Sequence, residues 1–320
     1  MSKNTPRIAV LMDPIQSIKP YKDTSFAMML EAQQRGWELL YLEIGDLSLI
    51  EGRLWIKWRK VEVKDNNEDW FRFLDEGFSP VEQVTDCILM RKDPPFNMDY
   101  IYATYLLDYA QGVGVIVVNS PRGLREVNEK LYTAWFPQCA PLTLVSSSRD
   151  QLKAFVKEQG DAIVKPLDMM GGASIFRVKA DDPNLNVILE TMTGFDKHMI
   201  MAQKFIPQIS EGDKRVLLVN GEPVPYALAR VPQKGETRGN LAAGGSAHGV
   251  PISERDKWIC KQVAPKLLEL GLQFVGLDII GDYLTEINVT SPTCVRELDK
   301  EYGLNISAQL FNAIAHDLQI

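Results

Sequence analysis

At 320 residues and 45% hydrophobic side chains, the chain can bury two or three packed units sharing one site. Its formal charge of −7 excludes the broad basic footprint of a nucleic-acid or anionic-membrane binder. The four cysteines, Cys87, Cys139, Cys260 and Cys294, have no CxxC spacing, so neither a zinc site nor a disulfide framework is indicated and a reducing compartment is expected. His198, His248 and His316 stand in no Ser, Cys or carboxylate pattern, which argues against a nucleophilic triad. The opening MSKNTPRIAVLMDP lacks the apolar stretch of a signal peptide and no apolar run approaches membrane-span length, so a soluble cytoplasmic protein is expected.

Arg7 to Met12 reads as a strand, Ser25 to Arg35 as a helix stopped at Gly36, and Glu38 to Leu42 as a second strand: a βαβ opening. No GxGxxG follows the first strand, which disfavours a nicotinamide or flavin site. Leu54 to Val63 alternates like a strand and Asp65 to Asp69 is turn-like. Thr85 to Met90, a buried-strand candidate, runs into Arg91-Lys92-Asp93-Pro94-Pro95-Phe96. The prolines forbid further helix, so the basic pair is either an ordinary turn or is displayed at a strand end, where open α/β sheets bind ligands. A helix from Tyr100 to Gln111 and a strand from Val115 to Asn119 close this first unit.

Ser120-Pro121 opens a helix expected to run to about Trp135 and to carry Glu129 and Lys130. Leu142 to Val145 is a strand, and Ser148 caps a helix over Gln151 to Gln159. Then the strand Ala162 to Pro166, holding Lys165, is followed by Asp168-Met169-Met170-Gly171-Gly172-Ala173 and a strand from Ser174 to Val178. A glycine pair in a hairpin lets backbone N–H groups lie over phosphates while a strand lysine reaches them from below, although such a hairpin is more often merely a turn. Met199 to Ile206 reads as a strand whose main chain could serve an adenine edge, and Val216 to Val219 and Val224 to Arg230 flank the turn Asn220-Gly221.

Residues 231–248, VPQKGETRGNLAAGGSAH, cannot pack a core face, and read either as a surface loop or as a lid carrying Arg238. Ser253 begins a helix to about Leu270, with Pro265 expected to kink or break it. Val275 to Thr293 reads as a β-hairpin bearing Asp278, Glu286 and Asn288. Glu286 and Asn288 share a strand face; Asp278 joins them only if it lies opposite Glu286, which requires a loop with an odd number of residues, such as Gly281 to Tyr283. That register gathers two carboxylates and an amide oxygen, ligands suited to Mg²⁺; the other reading is a solvated hairpin face. Ser291-Pro292 is expected to cap a further helix, and Ile306 to Leu318 forms the last one.

Strand lysine, glycine hairpin, hinge strand and the Asp278, Glu286 and Asn288 set resemble, in order, the ATP-grasp carboxylate-amine ligases. RKDPPF (91–96), NEKLYTAWF (128–136), GGASIFRV (171–178), GETRGNLAAGG (235–245) and LTEINVTSPTC (284–294) are similar to the bacterial glutathione synthetases over nearly the whole chain. The resemblance implies an α/β protein: a pre-ATP-grasp substrate domain with a parallel sheet (1–123), then a two-lobed ATP-grasp module of α+β character. Its central lobe is 124–203 and its C-terminal lobe 204–320, with the lid at 231–248 and the metal hairpin at 275–293. It further implies that Lys130, Lys165, Gly171 and Gly172 hold ATP phosphates, that Gln203, Lys204, Phe205 and Ile206 hold adenine, and that Asp213 holds ribose. By the same resemblance Asp278, Glu286 and Asn288 would bind Mg²⁺ or Mn²⁺; Arg91, Arg215, Ser291, Pro292 and Thr293 would face γ-glutamylcysteine and glycine; Arg230 and Arg238 would act in catalysis; and the chain would be a homotetramer or dimer. One departure is Met169, where the family pattern leads one to expect glycine and a looser phosphate loop. A D-alanine or glutamate ligase, or a non-catalytic ATP-binding sensor, are the alternatives.

Overall fold

The structure, a computed structural model, describes residues 5–233 and 245–320. Its strands form three sheets. In the first, β1 (Arg7–Leu11), β2 (Glu38–Leu42), β6 (Cys87–Met90) and β7 (Ile116–Val118) run parallel in the order β2-β1-β6-β7. Fully buried side chains such as Ile8, Val10 and Leu89 explain their unbroken apolar runs. On the β2 side this sheet continues antiparallel through β4 (Arg53–Val63), which pairs β3 (Leu47–Ile50), β2 and the long outer strand β5 (Phe71–Pro80). β3 and β5 had no clear signal, because they alternate little and leave Leu49, Phe73 and Phe78 more than a third exposed.

The second sheet is antiparallel, in the order β10 (Phe176–Lys179), β9 (Asp161–Pro166), β11 (Ile200–Lys204), β8 (Thr143–Ser146). The third is also antiparallel: β14 (Ser246–Pro251), β13 (Glu222–Val231), β12 (Asp213–Val219), β15 (Phe274–Ile280), β16 (Tyr283–Asn288). The middle sheet packs the helices Arg149–Gln159 and Leu185–Thr193 around a small core of its own, including Leu152, Val164 and Leu189. By contrast, the first and third sheets share cores: Leu11 and Met90 lie in one cluster with Val216 and Leu277. Side-chain caps fix the helix starts, at Ser253 as expected and at Asp23, which the sequence reading did not name. Asp23 accepts from Phe26 N at 2.7 Å, and Ser253 with Asp256 forms a capping box.

Four expectations are corrected. The helix opened by Pro121 ends at Glu126, and only a short 3-10 turn, Leu131–Trp135, follows; the break is stabilised because Asn128 Oδ1 accepts from Lys130 N and Leu131 N instead of leaving them to a helix. The last helix pair begins at Val295, not at Ser291-Pro292, because the Pro292 carbonyl is taken by Arg91 Nη2 at 2.9 Å. Pro265 does not break its helix, which runs on from Glu254 to Glu269. Finally, the expected lid is shorter than 231–248: Val231 and Ser246 to His248 are paired strand residues. Residues 234–244, with Arg238, lie outside the described residues.

Candidate active site

A cleft of ≈ 330 Å³ opens between the middle and third sheets. Its floor is one face of the third sheet. Pairing of Asp213 with Arg230, Arg215 with Asp278 and Asp278 with Glu286 sets these side chains on that face, with Asn288 two residues on. Ile280 pairs with Tyr283 across a two-residue Gly281-Asp282 turn, which by itself would send Asp278 to the face opposite Glu286. A register shift after Asp278 corrects this: Thr285 is the extra residue of a β-bulge, so Leu284 faces Ile279 while Glu286 faces Asp278. The convergent register expected from an odd loop is therefore reached by an even turn plus a bulge. Thr285 Oγ1 donates to the Asp278 carbonyl at 3.1 Å, and the Thr285 carbonyl accepts from Lys165 Nζ at 3.2 Å.

Asp278 is clamped. Arg215 bonds both its oxygens, with Nη2 to Oδ2 at 2.9 Å, and Arg230 Nη2 lies 2.9 Å from Oδ2 and 2.5 Å from Asp213 Oδ2. Burial pushes the Asp278 carboxyl up, but Arg215 and Arg230 outweigh it and hold it well below the carboxylate range. Asp213 goes the other way, raised by burial and by the neighbouring Asp278 and Glu286 against the pull of Arg230. Its Oδ1 is buried and has no hydrogen-bond partner among the described residues.

Lys130 enters from the segment bonded to β16 and Lys165 from the middle sheet, 6% and 4% exposed. Their Nζ atoms lie 3.9 Å and 3.8 Å from Glu286 Oε1, and Lys130 Nζ also donates to the Met169 carbonyl at the base of the glycine loop. Burial, with repulsion from Lys130, lowers Lys165 despite the attraction of Glu286. Gly171 and Gly172 take φ of 66° and 74°, which a side chain would strain. At the far end of the cleft Lys204 N and Phe205 N are committed to Leu142 O and Asp161 O, leaving the Ile206 amide without a hydrogen bond among the described residues. Gln203 is buried with Nε2 on Thr143 Oγ1 at 3.1 Å.

The cleft thus brings together the expected Lys130, Lys165, Gly171, Gly172, Gln203 to Ile206, Asp213, Arg215, Arg230, Asp278, Glu286, Asn288 and Ser291 to Thr293. It does not bring in Arg91. That residue is 5% exposed, with Nε on Ser25 Oγ at 3.1 Å, Nη2 on Pro292 O and its guanidinium over the Phe274 ring, so it props the Ser291 to Thr293 segment from behind. Lys92 is likewise paired, 2.9 Å from Asp13. Sequence reasoning missed Gly276, where a Cβ would meet Arg215 Cδ at 2.8 Å and Pro292 Cβ at 3.0 Å; a glycine inside a buried strand is the signal for such close approach.

The donor set fits a hard cation. Among the described residues no three His, Cys, Asp or Glu side chains form a metal-binding group, but Glu286 accepts no hydrogen bond within normal range, and it stands with Asp278 and the Asn288 amide oxygen beside the Lys130 and Lys165 ammonium groups.

Residues 7–125 match the prokaryotic glutathione synthetase N-terminal domain and residues 129–303 the prokaryotic glutathione synthetase ATP-grasp domain. The chain is 56% identical to glutathione synthetase of Escherichia coli (strain K12), covering 98% of this chain and 99% of that one. It is 57% identical to glutathione synthetase of Yersinia pestis, over 98% of each. Among solved structures, D-alanyl-alanine synthetase A from Vibrio cholerae superposes with a TM-score of 0.61 at 14% identity over 100% of both chains. D-cycloserine synthetase DcsG does so with 0.66 at 12% identity, over 97% of this chain and 99% of that one. Two family domains spanning nearly the whole sequence, on an ATP-grasp fold, place the chain in the prokaryotic glutathione synthetase family.

Proposed function

We propose that the protein is an ATP-dependent carboxylate-amine ligase that joins γ-glutamylcysteine to glycine, releasing glutathione, ADP and phosphate. The observation that carries this reading is the convergence of two buried lysines on Glu286, beside the Arg215, Asp278 and Arg230 cluster, in a member of this family.

A carboxylate is a poor acyl donor, so the cysteinyl carboxylate first attacks the γ-phosphorus of ATP and ADP leaves. Lys130 and Lys165 hold the phosphates, covered by the loop with Gly171 and Gly172. The Ile206 amide is the main-chain donor for the adenine edge, within Gln203 to Ile206, and the unpartnered Asp213 Oδ1 accepts from ribose. Asp278, Glu286 and Asn288 would hold Mg²⁺ or Mn²⁺, which supplies charge compensation at the phosphates. The glycine amine then attacks the acyl carbon, the oxyanion is stabilised by Arg230, and phosphate departs with one oxygen of the original carboxylate. Arg215 and Ser291 to Thr293 face the acid and amine, with Arg91 as their support. Met169 serves through its carbonyl, which any residue supplies, so its departure from glycine is compatible with phosphate binding.

The division at residues 123 and 203 is kept as part of this reading, supported by the separate core of the middle sheet. A homo-oligomer is supported by Tyr102, Tyr105 and Tyr109, all more than a third exposed along one helix. A cytoplasmic setting suits four buried free cysteines, and among the described residues no helix is long and apolar enough to cross a membrane.

The acyl phosphate is tested by labelling the cysteinyl carboxylate with ¹⁸O. The label is expected in the released phosphate; unlabelled phosphate beside labelled peptide contradicts the route.

A further inference from the structure

The mechanism uses Lys130 and leaves its neighbour Glu129 without a task, yet Glu129 is a cleft-lining carboxylate with three hydrogen bonds on a single oxygen. Its Oε1 accepts from Val289 N at 2.8 Å, Thr290 N at 3.0 Å and Thr290 Oγ1 at 2.9 Å, and its main-chain carbonyl accepts from Ile287 N at 2.8 Å. The residues on either side reach the opposite wall. Asn128 Nδ2 donates to Leu167 O at 3.0 Å, and Lys130 Nζ donates to Met169 O. Three consecutive side chains therefore bind the entry of the phosphate loop to the end of β16.

Apolar packing does not make this connection, because the middle sheet has a core separate from those of the other two. A polar joint is directional: displacing one partner displaces the others or breaks the bonds. The strand end that Glu129 grips carries Asn288 and leads straight into Ser291 to Thr293.

We propose that Glu129 is a positioning residue of the ligation, locking the end of β16 and the Ser291 to Thr293 segment to the backbone that carries Lys130, so that nucleotide held by the phosphate loop sets the acid and amine side of the cleft. The proposal rests on the ligase reading above. It invokes only Oε1, which a glutamine also provides, whereas an alanine leaves Val289 N and Thr290 N without their acceptor.

The test compares Glu129→Ala, Glu129→Gln and Thr290→Val in the full chain. Glu129→Ala is expected to raise the KM for γ-glutamylcysteine on the order of tenfold or more and to lower kcat, with the KM for ATP changing less than about threefold. Glu129→Gln restores wild-type values. Thr290→Val, which removes one donor and is informative even if Glu129→Ala fails to fold, shifts the same constants less far. Hydrogen exchange of the 286–293 segment gives a readout that needs nucleotide alone, and so stands apart from the choice of acid and amine. Binding of ATP is expected to slow it in wild type and Glu129→Gln but not in Glu129→Ala. Equal damage in the glutamine and alanine variants, an ATP KM that rises as far as the dipeptide KM, or unaltered ATP protection in Glu129→Ala overturns the proposal.

Discussion

Asp278 faces Glu286 across the β15–β16 hairpin because Thr285 is bulged out of the ladder between them. The bulge turns a tight two-residue hairpin into a platform with both carboxylates on the cleft side, and its carbonyl receives Lys165 from the other wall. One backbone irregularity thus places both the carboxylate pair and Lys165.

Glu286→Gln is expected to lower kcat by at least about a hundredfold. The fold should be spared, because the lysine contacts at 3.8 Å and 3.9 Å are too long to be hydrogen bonds. Phosphate release and a thermal melt of the same preparation check this; normal turnover would remove the metal assignment.

Arg230 bridges Asp213 and Asp278, so Arg230→Ala leaves two buried carboxylates short of a cation. A loss of about 3 kcal/mol in metal-free urea unfolding is expected, partly recovered by adding Asp213→Asn. A double variant no more stable than the single one contradicts the bridging role.

At Gly276, alanine would press on Arg215 and Pro292. Gly276→Ala is expected to cost about 1–2 kcal/mol and to cut kcat/KM on the order of tenfold or more, through displaced Arg215. Unfolding midpoints and steady-state kinetics report the two effects separately, and an unchanged kcat/KM would show that Arg215 has room to move.

Asp299 supplies a pH test away from the cleft. Burial, helped by Glu31 and opposed by the Ile306 N–H and Arg296, raises its pKa from 3.8 to about 6. The folded state therefore holds this proton more tightly than the unfolded chain. The resulting stability is fully present below about pH 4 and is lost as pH rises through about 6. Asp299→Asn keeps the acceptor for Ile306 N, 3.0 Å away, without the charge. Its melting temperature should exceed that of wild type at pH 7.5, with the gap closing towards pH 4; a gap independent of pH contradicts the assignment.

Much of the site was legible because its residues sit on regular strands. The two-residue period alone puts Glu286 with Asn288, and the strand lysine before the glycine pair marks one cleft wall, although such a hairpin is more often merely a turn. What escaped reading is decided by distant partners. No local pattern announces the Thr285 bulge, and parity reasoning alone demanded a different loop. The helix expected through Trp135 fails because Glu129 and Asn128 are engaged by residues about 160 and 39 positions away. The helix expected at Pro292 fails because a carbonyl there belongs to Arg91, and Arg91 itself, which looked displayed, is buried as that support.

The most direct test of the central claim is phosphate release from Mg-ATP with γ-glutamylcysteine, with and without glycine, with the product identified by mass. Release that needs both substrates and yields the tripeptide is the expected result. Release with a different acid and amine pair, or none with any pair, would contradict the substrate assignment or the ligase reading respectively.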